Sequence, residues 1–312
     1  MRKIILLITI IIILVVILCT TNFRCANNLP QVNFPIEPAM WDGKFKVELI
    51  GKPTIAIQNE IMVYKVVYPK MSTSFVRKVA EKCKIKNIKK IHEEGCLGDG
   101  WMIMMEPDGN FDLERTPRPA KWRWDNAESQ PSQQEVREVA QKFMFDKKEL
   151  FAGQKWEEDF FGGNYAQEYN KKPFYRFFAI YYARKIDDLR IWGAGCRIVL
   201  HIWKDMKVGK MYMSSPEFKP LKKYPLKSIE QALVDLKTGG LKNNYIQPID
   251  DTFKIESVQL VYYLKFLKAH QEYLQPCYLF EGKDKRGEKI EALVPAIKDE
   301  YIDKTRLDPE HY

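Results

Sequence analysis

The sequence predicts an α+β protein of three tandem small units, each a helix packed on an antiparallel sheet, behind an N-terminal transmembrane helix. Three observations support this. The chain opens on a long uncharged apolar run, one amphipathic helix pattern recurs three times, and each recurrence precedes a pair of strand-like runs joined by turn residues. The 312 residues are 46% hydrophobic and 29% charged. That is the balance of a folded chain, not a disordered one.

Met1-Arg-Lys3 precedes an apolar run from Ile4 to Cys19 that contains no charge and no helix breaker. With Thr20 and Thr21 it reaches the roughly 17–25 residues that span a bilayer as a helix. Residues 1–21 therefore read as a membrane anchor or signal, with contact to the membrane through residues 4–21. Arg2 and Lys3 stay on the cytoplasmic side, so the bulk of the chain is expected to be extracytoplasmic. An uncleaved anchor, a cleaved signal and a lipid anchor at Cys19 or Cys25 all share that orientation. Residues 22–43, rich in Asn and Pro, read as an extended tether.

The first unit, 44–128, begins with the alternating strand Lys44–Ile50 and a second strand, Glu60–Tyr68. Val76, Val79, Ala80 and Cys83 then share one helix face, with Ser72 or Ser74 as cap. A hairpin follows, Gly100–Met105 and Phe111–Arg115, around the turn signal Asp108-Gly109. The second unit, 129–220, repeats the helix with Val136, Val139, Ala140 and Phe143 behind the capping box Ser132-Gln-Gln-Glu135. Its strands are Phe174–Tyr182, Cys196–Trp203 and Lys210–Met213, with the turn at Met206–Gly209. The third unit, 221–312, has the helix Ile229, Ala232, Leu233 and Leu236 behind Ser228-Ile-Glu-Gln231. Its strands are Val258–Tyr263, Cys277–Glu281 and Lys289–Val294, the last two joined through Lys283–Gly287. Pro-rich stretches, Thr116–Pro131 and Ser215–Pro225, mark the joints.

Several chemistries find no pattern. The net charge of +9 comes from scattered lysines without a basic block, which describes a solvated surface and no nucleic-acid partner. The four histidines, His92, His201, His270 and His311, have no partners at metal-ligand spacing. Neither a phosphate-binding glycine loop nor a nucleophile elbow is present, and no cofactor is expected. Five cysteines lie beyond the apolar core of the leader. Cys83–Cys96 and Cys196–Cys277 are conceivable disulfides, and buried thiols are the other reading. The acids Glu157-Glu158-Asp159 and Asp187-Asp188 read as polar loops. A catalytic role would require two of them, such as Glu158 and Asp187, to share a deep pocket that separates their pKa values. Trp122-Arg-Trp124 and Tyr181-Tyr-Ala-Arg184 combine aromatic and cationic side chains. Trp122, Trp124, Tyr182 and Arg184 are therefore the candidate partner surface.

The chain also resembles a known group. Val63-Tyr64 before Ser72–Ala80 opens like a strand and capped helix. Ile186-Asp-Asp-Leu189 precedes Trp192-Gly-Ala-Gly195, and Ser228–Leu233 follows. Val261-Tyr-Tyr263, Tyr273–Gly282 and Val294-Pro-Ala296 close the pattern. Together these stretches resemble PepSY-like units of extracytoplasmic proteins, similar to the membrane-anchored Yyc-type two-component regulatory proteins of Gram-positive bacteria. The resemblance implies a binding or regulatory protein without catalytic activity, with an envelope protein, sensor kinase or peptidase as its partner. It assigns no functional residues. The competing expectation is an exported hydrolase or wall-modifying enzyme that uses acidic residues.

Overall fold

The computed structural model describes residues 32–33, 46–50, 58–169, 172–237, 252–265 and 271–303. Its strands are β1 (Val32–Asn33), β2 (Lys46–Leu49), β3 (Glu60–Val67), β4 (Lys90–His92), β5 (Gly95–Gly98), β6 (Trp101–Met105), β7 (Phe111–Arg115), β8 (Lys155–Tyr169), β9 (Lys172–Ile186), β10 (Leu189–Trp192), β11 (Arg197–Trp203), β12 (Lys207–Ser214), β13 (Glu217–Pro225), β14 (Thr252–Tyr263), β15 (Tyr273–Lys283), β16 (Lys289–Pro295) and β17 (Ile302–Asp303). The helices among the described residues are α1 (Thr73–Lys82), α2 (Gln133–Asp146) and α3 (Ile229–Lys237), with one 3-10 turn at Asp299–Tyr301.

The helices form where their spacing places them, and their caps show why. Ser72 Oγ accepts from Phe75 N at 3.2 Å. Ser132 and Glu135 complete a reciprocal capping box, with Glu135 N to Ser132 Oγ at 3.3 Å and Ser132 N to Glu135 Oε2 at 2.8 Å. Those bonds hold the Glu135 carboxyl below the usual carboxylate range. Ser228 Oγ accepts from Gln231 N at 3.1 Å. Each cap satisfies backbone N–H groups that the first helical turn leaves unpaired. The buried faces are Val76, Val79 and Ala80, then Val136 and Ala140, then Ala232 and Leu236.

The expected tandem of separate helix-on-sheet units is not what forms. Fifteen of the seventeen strands merge into one mixed sheet, with the hydrogen-bonded order β13-β3-β15-β14-β10-β9-β11-β12-β7-β6-β5-β4 and β16, β2 and β8 attached to β15, β14 and β9, while β1 and β17 pair with each other. The ladder runs from one expected unit into the next: β7 pairs with β12 through Phe111–Glu114 and Met213–Lys210. It crosses again where Ile191 and Trp192 of β10 lie parallel to Tyr262 and Tyr263 of β14. An edge strand with unpaired N–H and C=O groups is a template for further pairing, and here those edges meet each other.

Two cores sit on this sheet. The first, under α1 and α2, includes Val76, Ile103, Leu113, Val136, Phe178, Ile180, Ile198 and Leu200. The second lies around α3 and β3, β14, β15 and β16, and includes Val63, Ala232, Phe253, Val261, Phe280 and Val294. Trp156 of β8 packs against both.

Three local readings change for physical reasons, and a fourth, left open between disulfides and buried thiols, is decided. The Pro-rich stretch Ser215–Pro225 contains an edge strand, β13, antiparallel to β3, with a register shift between Pro220 and Lys222. Proline has no N–H to donate, so an edge is where a sheet accepts it. Glu157, Glu158 and Asp159 lie on β8, not on a loop. Gly209 is a strand residue, not a turn glycine. A Cβ there would stand 1.8 Å from the Trp203 ring, so glycine makes room for a buried indole. Cys83, Cys96, Cys196 and Cys277 are all buried free thiols. Neither conceivable disulfide forms.

The expected single-pass anchor, and the extracytoplasmic placement drawn from it, are not upheld. No helix among the described residues is long and apolar enough to cross a membrane. Residues 4–21, to which the anchor was assigned, and most of the tether at 22–43 lie outside the described residues.

The joint at β10 requires glycine. Leu264 N donates to Trp192 O at 3.0 Å, and Gly195 N donates to Leu264 O at 3.2 Å. Gly193 has φ +101, and a Cβ on it would lie 2.3 Å from Leu264 O. A Cβ on Gly195 would lie 2.2 Å from Lys265 O. Gly193→Ala is expected to cost about 2–3 kcal/mol in urea unfolding, through positive-φ strain plus a backbone clash. Gly153→Ala, also at positive φ but with open space around it, is expected to cost about 1 kcal/mol.

Candidate functional site

The feature that both cores build together is a cleft of about 440 Å³ beside β10. β8 contributes Asp159 and Phe160, β10 and the following turn contribute Arg190, Trp192, Gly193 and Ala194, and β11 contributes Arg197. The opposite wall comes from the second core, with Glu281 of β15 and Lys289 and Glu291 of β16. Trp192 is 8% exposed and packs against Tyr263 at 5.9 Å, whereas Phe160 is 59% exposed and leans on Tyr181 at 5.5 Å. Phe160 thus presents an aromatic surface at the cleft, although a single exposed apolar side chain is common on protein surfaces.

Charges in the cleft are paired unevenly. Arg190 and Asp159 form an ion pair. Lys289 reaches both Glu291, at 2.5 Å, and Glu281, at 3.3 Å. Glu281 also accepts from Gln259 Nε2 at 2.7 Å and Ser257 Oγ at 3.1 Å. The two carboxylates draw the Lys289 ammonium above its ordinary pKa against partial burial. Arg197 donates from Nη2 to Gly193 O at 3.1 Å, and its guanidinium lies 6.0 Å from the Tyr181 ring centre. It takes part in no ion pair among the described residues.

The four residues expected to form a partner surface lie elsewhere. Trp124 is 4% exposed and meets Phe178 edge-on at 5.1 Å. Tyr182 is buried in the first core, and that burial, with Glu158 nearby, pushes its phenol up to about 12 against the pull of Arg137. Arg184 is an internal strut. It donates to Pro216 O at 3.0 Å and Ser215 Oγ at 3.3 Å, and its guanidinium lies 4.8 Å from the Phe218 ring. Trp122 is half-buried. It stacks on Phe177 at 5.8 Å and touches Trp203 at 5.4 Å, while Arg123 and Arg118 lie 4.1 and 4.6 Å from its ring centre. None of the four lines the cleft.

The acids on which a hydrolase was to depend are also apart. Glu158 is held by Arg137 Nε at 2.9 Å, and Asp187 accepts the Tyr64 hydroxyl proton. Glu158 stands opposite Tyr182 in the middle of the β8–β9 ladder, whereas Asp187 lies in the turn after β9. Neither lines the cleft. Among the described residues, no group of three or more His, Cys, Asp or Glu side chains could hold a metal ion.

No family model and no curated protein matches the chain. Among solved structures it is similar to an uncharacterized protein from Eubacterium rectale at 12% identity and a TM-score of 0.41, covering 83% of this chain and 90% of that one.

His201, on the sheet face away from α1 and α2, gives this region a pH signature. It stacks on Phe177 at 4.8 Å and stands opposite Lys210. Burial first, then the Lys210 cation, push its pKa from 6.5 to about 4, with Glu114 pulling weakly the other way. The unfolded chain therefore takes up a proton that the folded chain refuses. The neutral histidine's contribution is whole above pH 6.5 and is lost as the pH falls toward 4. Unfolding titrations should show about 3 kcal/mol lost across that window. In His201→Gln most of that loss should disappear.

Proposed function

We propose that this chain is a non-catalytic binding protein whose ligand occupies the cleft between the two cores. The observation that carries this reading is that the cleft brings an exposed Phe160 together with Arg197, a cation in no ion pair among the described residues. Pockets of about 300–1,000 Å³ hold small ligands, and six of the ten residues that line this one are charged, with Phe160 and Trp192 as its aromatic surface. The cleft lies at the meeting of two cores, so occupation is sensed by both. Such an arrangement suits a regulatory protein that reports ligand to a sensor kinase or peptidase, the partners the sequence resemblance implies.

A thermal-shift screen against a mixed panel of metabolite-sized compounds tests this. A ligand at about 100 times its Kd adds roughly 2.7 kcal/mol to the folded state, so a true ligand raises the Tm visibly. The shift is expected to vanish in Phe160→Ala and in Arg197→Ala, with the compound recovered unchanged by mass spectrometry. A shift retained by both variants, or turnover of the stabilising compound, would contradict the proposal.

A further inference from the structure

Resting on that reading, we infer that the ligand is a zwitterion of about dipeptide size, with its carboxylate on Arg197 and its ammonium on Glu291. The cleft is lined by three cations (Arg190, Arg197 and Lys289) and three acids (Asp159, Glu281 and Glu291). It is neutral in sum but polarised along its length. Arg190 and Asp159 cancel each other, which leaves Arg197 as net positive charge on the β11 side. On the other wall a single ammonium, Lys289, serves two carboxylates, which leaves net negative charge.

That negative excess is built into the backbone register. Glu281 and Glu291 stand directly opposite one another in the β15–β16 ladder. Like charges in that position repel, and only Lys289 separates them. Glu281 has further donors in Gln259 and Ser257, whereas among the described residues Glu291 is bonded to Lys289. A second ammonium beside Glu291 would relieve the repulsion and complete the pairing.

At the opposite end, Arg197 spends one N–H on Gly193 O and keeps its remaining donors for an acceptor. Arg190, which lines the same cleft, keeps its Nε buried without a hydrogen-bond partner, a costly state for a donor. A guanidinium binds a planar carboxylate through two parallel N–H bonds, and that geometry selects it over a point anion. Phe160 and Trp192 line the same cleft and supply apolar surface for a side chain. A simple monoanion or a sugar would leave one or both charged ends unmet.

Calorimetric titration of the whole protein with Ala-Phe, N-acetyl-Ala-Phe and Ala-Phe-amide tests the assignment. The free dipeptide is expected to bind, with each blocked form about tenfold or more weaker, as the loss of one charge-assisted hydrogen bond implies. Arg197→Gln should weaken the free dipeptide and abolish discrimination against the amide. Glu291→Gln should abolish discrimination against the acetylated form and leave discrimination against the amide intact. Blocked forms binding as tightly as the free dipeptide would overturn the zwitterion while leaving the binding protein standing. No binding of any form up to about 10 mM, well above the millimolar range of weak specific ligands, would overturn it as well. In that case, a Phe160-dependent stabiliser found in the mixed panel would still preserve the broader reading.

Discussion

The approach of the backbone at Trp192–Gly195 to Leu264 and Lys265 is the constraint on which the molecule depends. At that point β10 turns from an antiparallel partner of β9 into a parallel partner of β14. Four residues thereby connect the part of the sheet covered by two helices to the part that carries the second core. Two backbones pass there with no room for a Cβ, and Gly193 and Gly195 make the passage possible. Trp156, packed against both cores, and Arg184, bonded to the chain leading into β13, brace the same joint. The cleft sits at this joint, lined by β8, β10 and β11 from one side and β15 and β16 from the other.

Placing the site at a joint gives it properties that neither core would have alone. Its walls come from β8, β10 and β11 on one side and β15 and β16 on the other, so a bound molecule touches elements anchored in separate apolar clusters. Rigid strands hold the charged groups at fixed spacing, which favours recognition through preorganised pairs over adaptable contacts. The uneven pairing of Lys289 with two carboxylates has a cost in the empty protein, and a ligand that offsets it gains selectivity as well as affinity.

Local structure was far more legible in the sequence than its assembly. The capping box at Ser132–Glu135 and the spacing of Val76, Val79 and Ala80 are short-range signals, and the helices obey them. Asp108-Gly109 marked its hairpin for the same reason. The contacts of β7 with β12 and of β10 with β14 have no such signal, because a strand edge carries no mark of its distant partner. Gly209 was misread because turns and indole seats both select glycine. The acids at 157–159 looked like a loop, because the cations that balance them are far off in sequence: Lys185 for Glu157, Arg137 for Glu158 and Arg190 for Asp159. Aromatic–cationic clusters drew attention to Trp124 and Tyr182, whose rings the core consumes. The cleft draws on residues 159 to 291. Its one visible sign was Trp192-Gly-Ala-Gly195, read as a family feature and not as the backbone crossing it makes.

Native-state amide hydrogen exchange across β9 and β14, the strands that flank β10, tests the joint most directly. If the two cores form one cooperative body, the slowest amides of Phe178–Ala183 and of Val258–Tyr263 should exchange with the same limiting free energy and the same denaturant dependence. Two separate limits, with one strand set opening while the other stays protected, would show that the cores unfold independently and that the joint does not unite them.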